Sequence, residues 1–475
     1  MIMTFSLQRI PLYVGGLVLL LLTTTACDSQ LQLEPQQSIS EDAALSSPDN
    51  VETVLVGAYE LAGDYDLYGG QYAMLADLAA SAEVGGDLTW TGTFEEPRQV
   101  WTNTILVSNG FIADQWLDSY ELINVSNNVL AGADLIEDQA LREQIRGEAL
   151  FLRAAAHFEL VRAYAQPYSA GNPSNLTGVP IITEPTRGVN EESSVPRASV
   201  QAVYDQVISD LTTARDLLPE NNSRGATALY ANTYAASAML SRVYLNQGDY
   251  AGARDQANRV IENGPYQLAV DGDGLYDINA VFENLGDRFS DEVIYGIRFS
   301  SQDNGDNSLQ VFYGSEDFNG RGDITVNNTH VARYEDDDVR GDYFFVDSDA
   351  VRRTLKWQNE NTNTPVIRLA EMYLTRAEAN LREETSVGAP PLDDYNTIHV
   401  RAGLPEATSV TIGDVLSERR LELAFEGQLL HDLRRTQRDV ANFAFDANTL
   451  VYPIPQREID TNTNPDFTQN PGYGS

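Results

Sequence analysis

Among 475 residues the chain has one cysteine, Cys27, one lysine, Lys356, and four histidines. A lone cysteine excludes an internal disulfide and any site built on several thiolates. The histidines, His157, His330, His399 and His431, lie far apart in sequence and show none of the spacings that place two ligands on one helix face, so a zinc centre is not expected. Basic residues number 31 against 70 acidic ones, a formal net charge of -39. So little positive charge excludes nucleic acid and anionic headgroups as partners of a basic patch, because affinity for phosphates depends on clustered Lys and Arg. Phosphate-cradling glycine loops and nucleophile elbows are missing too. After the first 25 residues no long apolar run follows, so no membrane-spanning helix is expected.

The position of the cysteine is informative. Residues 11–22 form an apolar run behind Arg9, and "LTTTAC" leads into Cys27. At roughly a dozen residues the run is short of the ~20 that span a bilayer and fits a secretory signal peptide over 1–26. Small Thr25 and Ala26 before Cys27 resemble the bacterial lipobox, although Thr24 stands where a leucine-like residue is usual. The resemblance makes Cys27 the acylated mature N-terminus, and several acyl chains, at ~0.8 kcal/mol per buried methylene, anchor a domain firmly. Residues 27–50, rich in Ser, Gln, Asp and Glu, are expected to be a flexible tether. Surplus carboxylate with almost no lysine resembles the surface of proteins from salt-loving organisms, where ions screen self-repulsion.

Helical periodicity dominates the remainder. In "SVQAVYDQVISDLTTARDLLP", Val203, Val207, Leu211, Ala214 and Leu218 form one stripe between a Ser199 N-cap and the Pro219 stop. Ile145, Ala149, Leu152 and Ala156 form another. A third segment carries Leu240, Val243 and Tyr244, turns at Gly248 and Asp249, and continues the stripe with Ala253, Ala257, Val260 and Ile261. Such a hairpin resembles a tetratricopeptide unit, which must stack on neighbours to bury its face. The expected fold is mainly α: one domain over 51–475, with a helical scaffold at about 110–265 and 366–440 and loop-rich insertions at about 60–110 and 265–365.

Several stretches together are similar to the SusD/RagB-like nutrient-binding lipoproteins of Bacteroidetes-type bacteria: the lipobox, "WLDSYELINVSNNVL", "RGEALFLRAAAHFELVRAYAQPY", "LSRVYLNQGDYAGARDQANRVI", "RLAEMYLTRAEA", "VRAGLP", "ERRLELAFEGQLLHDLRR" and "YPIPQREIDTNTNPDFTQNPGY". They occur in the family's order over nearly the whole mature chain. The resemblance implies an outer-membrane lipoprotein on the extracellular face. It would bind glycans or oligosaccharides without cleaving them and serve as the lid of a TonB-dependent SusC-like transporter, with no cofactor. Two other classes stay open: a surface scaffold binding a protein or peptide in its tetratricopeptide-like groove, and an exported glycosidase, which needs two carboxylates across a cleft.

Sugars offer C–H faces to aromatic rings and hydroxyls to Asp, Gln and Arg. "DLTWTGTFEEPRQVW" supplies that mixture outside the periodic helices, so Asp87, Trp90, Phe94, Arg98 and Trp101 are candidate ligand contacts, with Glu95 and Gln99 nearby. Trp90 is the expected exposed platform. By resemblance a later insertion adds Tyr313 and Trp357, beside Phe312. In "ERRLELAFEG" we expect Glu418, Arg419, Arg420, Glu422 and Glu426 to pair along a helix face rather than to act in catalysis. Asp338 and Arg340 are expected to pin a turn. Asp271, Asp273 and Asp277 start a calcium-loop pattern but lack its bidentate Glu, and are read as an acidic turn.

Overall fold

A computed structural model describes residues 47–82, 86–188, 194–225, 228–282, 288–299, 307–359 and 363–474. The leader, Cys27 and most of the tether lie outside the described residues. The longer helices are α1 Pro48–Ala62, α2 Gln71–Ala80, α3 Gly110–Gly132, α4 Gln139–Tyr164, α5 Val200–Leu217, α6 Thr233–Gln247, α7 Tyr250–Asn263, α8 Leu369–Glu383, α9 Pro391–Arg401 and α10 Ile412–Glu422. Each of α3 to α7 packs on its sequence neighbours, and α7 packs on α8 across the intervening insertion. Helix α1 lies on α3 and α4, while α9 and α10 lie on α8. The stack is mainly helical, as expected.

Local chemistry sets the ends of these helices. The Ser199 side chain accepts from Ala202 N–H and starts α5, and Asn232 caps α6 through the N–H groups of Tyr234 and Ala235. Gly248 ends α6 at φ 84°, a left-handed conformation that costs glycine nothing, and Asp249 then caps α7 by accepting from Gly252. Val203, Val207, Leu211 and Ala214 of the α5 stripe are buried, as are Leu240, Val243, Ala253, Ala257 and Val260 of the hairpin. Most of the core is one continuous cluster running from α1 to Phe467. A smaller cluster of Ala370, Leu374, Ala377, Tyr395, Ile398 and Val415 fixes α9 and α10 to α8.

The insertions are more ordered than their sequences suggest. "QYAMLADLAA" forms α2, in which Gln71 and every residue from Met74 to Ala80 are buried. A helix covered on nearly all sides has no polar face, so it carries no amphipathic period to detect. Among the described residues, three two-stranded antiparallel sheets cross the insertions: β1 Leu88–Trp90 with β3 Ile324–Val326, β2 Val293–Ile297 with β6 Thr364–Arg368, and β4 Phe344–Val346 with β5 Arg352–Thr354. Trp90 stands opposite Ile324, so β1 and β3 join the two insertions. Strand β6 runs directly into α8 through Arg368.

The charged residues of "ERRLELAFEG" pair across elements, not along their own helix. Glu418 meets Arg340 at 2.6 Å, Glu422 meets Arg401 at 2.8 Å and Arg368 at 3.0 Å, and Glu426 meets Arg368 at 2.8 Å and Lys356 at 2.6 Å. Glu292 joins Arg368 to Arg401, and Asp338 holds Arg340 at 2.8 Å while accepting its backbone N–H, which pins the turn as expected. The reason is burial: Val415, Glu418, Arg419 and Glu422 form the buried face of α10, so the carboxylates on that face must find partners on neighbouring elements. The segment also breaks after Glu422 and resumes as the helix Leu429–Arg435, with Phe425 at φ 62° and Gly427 at φ 74° in the connection.

Candidate functional site

The stretch 87–101 is not a free loop. Strand β1 turns Leu88 and Trp90 inward by the alternation of a β-strand, and the helix Glu95–Trp101 follows. Trp90 is 2 % exposed, its ring centroid 5.6 Å from that of Phe312, and its indole N–H donates to the Phe94 carbonyl at 3.1 Å. The expectation of an exposed Trp90 platform is therefore corrected: the indole lies beneath the surface and holds the backbone of Phe94. Asp87 is buried as well, within 2.7 Å of Arg420, 3.2 Å of His330 Nδ1 and 3.5 Å of Arg333. Burial alone would raise its carboxyl, but His330 and Arg420 outweigh that and hold it below the usual carboxylate range. Trp101 is half-buried, its N–H donating to the Leu88 carbonyl at 3.2 Å.

Tyr313 and Trp357 are also interior. The Tyr313 hydroxyl donates to Asp77 at 3.2 Å, and the Trp357 indole donates to the Phe425 carbonyl at 3.1 Å with its ring edge-on to Phe282. Trp357 lines a cavity of about 30 Å³ with Tyr68, Glu159, Arg162 and Arg242. That space suits ordered water, whereas ligand pockets run to roughly 300–1,000 Å³.

Phe94 is the exposed one among these aromatics, at 40 %. The Arg321 guanidinium lies 4.4 Å from its ring centroid and pairs with Asp323 at 2.7 Å. Arg98 donates to the Gly92 carbonyl and stands 3.6 Å from Glu95, half-exposed. Gly92 itself lies so close to Asp323 that a Cβ would come within 2.5 Å of the carboxyl carbon. Beneath Phe94, the ring of Phe312 is the hub of a cluster: Phe94 at 6.3 Å, Phe111 at 6.1 Å and Tyr65 at 6.0 Å. The outcome is a rim of partly exposed rings, Phe94, Phe111 and Tyr65, flanked by two guanidinium groups and supported from below by Trp90 and Phe312. Such a surface can stack on an apolar face and donate hydrogen bonds around it.

Residues 31–245 match a family described as starch-binding, associating with the outer membrane, and residues 342–446 match the SusD family. The chain belongs to the SusD/RagB family. A SusD-like protein of Formosa agariphila is 24% identical over 96% of this chain and 98% of its own length. The starch-binding protein SusD of Bacteroides thetaiotaomicron is 31% identical over 146 residues, 25% of each chain. The fold superposes on the crystal structure of a SusD superfamily protein from Bacteroides thetaiotaomicron with a TM-score of 0.77 at 25% identity, covering 90% of this chain and all of that one.

In this SusD-family chain the sequence sets Phe94 and Arg98 in one stretch but gives no sign that Tyr65, Phe111 and Arg321 join them at the rim. These three come from separate segments, and no local pattern connects them. Asp271, Asp273 and Asp277 form an exposed turn in which Asp271 accepts from the N–H groups of Asp273 and Leu275. Among the described residues they do not converge as ligands, whereas Asp64, Asp66 and Asp118 do.

Proposed function

We propose that the chain is a surface glycan-capturing lipoprotein of the outer membrane, anchored on the extracellular face by acylated Cys27. It delivers glycans or oligosaccharides to a TonB-dependent SusC-like transporter, of which it is the lid. The observation that carries the ligand reading is the 40 % exposed Phe94 ring, with Arg321 over one face of it and Arg98 in the helix that follows, in a family whose matching description is starch-binding. A sugar's C–H face lies on such a ring while guanidinium groups reach its hydroxyls, and neither contact breaks a bond. Capture without cleavage is the task. In this reading Phe94, Arg98 and Trp101 face the ligand side, while Asp87, Trp90, Tyr313 and Trp357 fix the ground beneath them.

Affinity electrophoresis in gels carrying different polysaccharides tests the reading. Retardation by at least one glycan, with no new reducing ends, is the expected result. Free migration in every glycan, with binding to peptides instead, would favour the scaffold reading; release of reducing ends would mean an enzyme. Cys27→Ser is expected to move the protein from the membrane fraction to the medium.

A further inference from the structure

The loop leaving α1 reads Gly63-Asp64-Tyr65-Asp66, and Asp118 of α3 faces it. One carboxylate oxygen from each of Asp64, Asp66 and Asp118 lies within 4.8 Å of the other two. The charges that act on Asp66 and Asp118 are each other's and those of Asp64, Asp114 and Glu121, all negative. Three converging carboxylates alone prove little in so acidic a chain. The second observation is Gln71, the first residue of α2, whose side chain reaches the same cluster and is fully buried. Its Nε2 donates to Asp66, and its Oε1 has no hydrogen-bond partner. A buried carboxamide oxygen left without a donor is costly, and a cation among the carboxylates would satisfy it once the carboxamide turns over to present its oxygen where its N–H now meets Asp66.

We propose that Asp64, Asp66 and Asp118, with the carboxamide oxygen of Gln71, form a binding site for a divalent cation of the calcium type. The donors are all hard oxygens, with no nitrogen or sulfur ligand, and they come from a glycine-flanked loop and two helices. Calcium accepts such a set in flexible geometry and completes its six to eight ligands with water. Without a cation, burial and mutual repulsion raise Asp66 to about 7 and Asp118 to about 6, so a proton takes the place that the metal would fill. Tyr65 and Tyr72 are the other titratable groups that sense these charges. The site is independent of the glycan reading. Its loop nonetheless carries Tyr65, whose ring meets Phe111 at 6.4 Å, so cation binding would also steady the rim.

The test is calorimetric titration of calcium chloride into protein stripped with EDTA at neutral pH, paired with thermal melts. One calcium per chain and a raised melting midpoint are expected, with magnesium at least about tenfold weaker. The double variant Asp66→Asn, Asp118→Asn should lose at least about tenfold in affinity and all of the calcium-induced shift. Its melt without calcium should match or exceed the parent's, because repulsion has been removed. Asp64→Asn gives a second, milder reading of the same loss. Asp271→Asn, in the other acidic turn, should change nothing. Absence of a one-to-one calcium event, an event unaltered in both carboxylate variants, an event abolished by Asp271→Asn, or magnesium binding as tightly as calcium would overturn the proposal.

Discussion

Two groups of carboxylates in this fold meet opposite fates. Around α10, Glu418, Glu422, Glu426, Glu292 and Asp338 are buried and matched by Arg340, Arg368, Arg401 and Lys356 at ion-pair distance. At the α1–α3 junction, Asp64, Asp66 and Asp118 converge, and the neighbouring charges that raise Asp66 and Asp118 are carboxylates. The first group spends the chain's sole lysine and three arginines to neutralise an interior, and its partners come from segments far apart in sequence. The second is left in deficit at the edge of the aromatic rim. Burial raises the carboxyls in both places, but the cations around Glu418, Glu422 and Glu426 outweigh it and hold these three below their ordinary range, whereas Asp66 and Asp118, among like charges, rise.

The largest expected effect comes from breaking the balanced group. Arg368→Ala takes from Glu292, Glu422 and Glu426 the cation they share, leaving Arg401 and Lys356 to hold them, and this surplus of buried negative charge should cost about 3–5 kcal/mol of stability, read by denaturant unfolding. Arg368→Lys, with one point charge for three acceptors, should fall between that variant and the parent.

A pH series on the calcium-free protein sharpens the contrast, because the two groups respond with opposite sign. Burial would raise Glu418 and Glu426, but their arginine and lysine partners outweigh it and lower both, so the stability they add is complete above the ordinary carboxylate range and is lost as pH falls below it. Asp66, raised from 3.8 to about 7, keeps a proton that the unfolded chain has already released, so stability declines as pH rises through that window. The melting midpoint should therefore climb on going from pH 8 to about 5 and collapse in stronger acid. Asp66→Asn should flatten the upper limb and, once solvent screening of this partly exposed site is discounted, gain up to about 1 kcal/mol at pH 8. A smaller, general effect is expected from salt: a net charge of -39 should make the midpoint rise between low and molar sodium chloride.

What the sequence made legible was local. The Ser199 cap, the Gly248 turn and the stripes of α5 to α7 follow from patterns within one or two turns of helix. Helix α2 escaped because full burial erases the period that marks a helix. Trp90 was placed on the surface because its neighbours are polar, yet strand alternation and a partner strand some 230 residues away turn it inward. The rim and the acidic cluster escaped for a related reason. Tyr65, Phe111 and Arg321, or Asp64 and Asp118, meet only once α1 and α3 pack and the later insertion folds over them. No spacing rule reports contacts of that range.

The central claim is that the exposed ring captures glycan and the buried ring beneath it maintains the fold. Titration of parent, Phe94→Ala and Trp90→Phe with a retarding glycan, each paired with a thermal melt, tests it most directly. Phe94→Ala should weaken binding by about 1–2 kcal/mol and hardly move the midpoint, as expected for truncating an exposed aromatic contact. Trp90→Phe, which loses the hydrogen bond to the Phe94 carbonyl and some core volume, should lower the midpoint by the equivalent of about 1–3 kcal/mol. A Phe94→Ala protein that binds like the parent, or that melts as low as Trp90→Phe, would contradict the account.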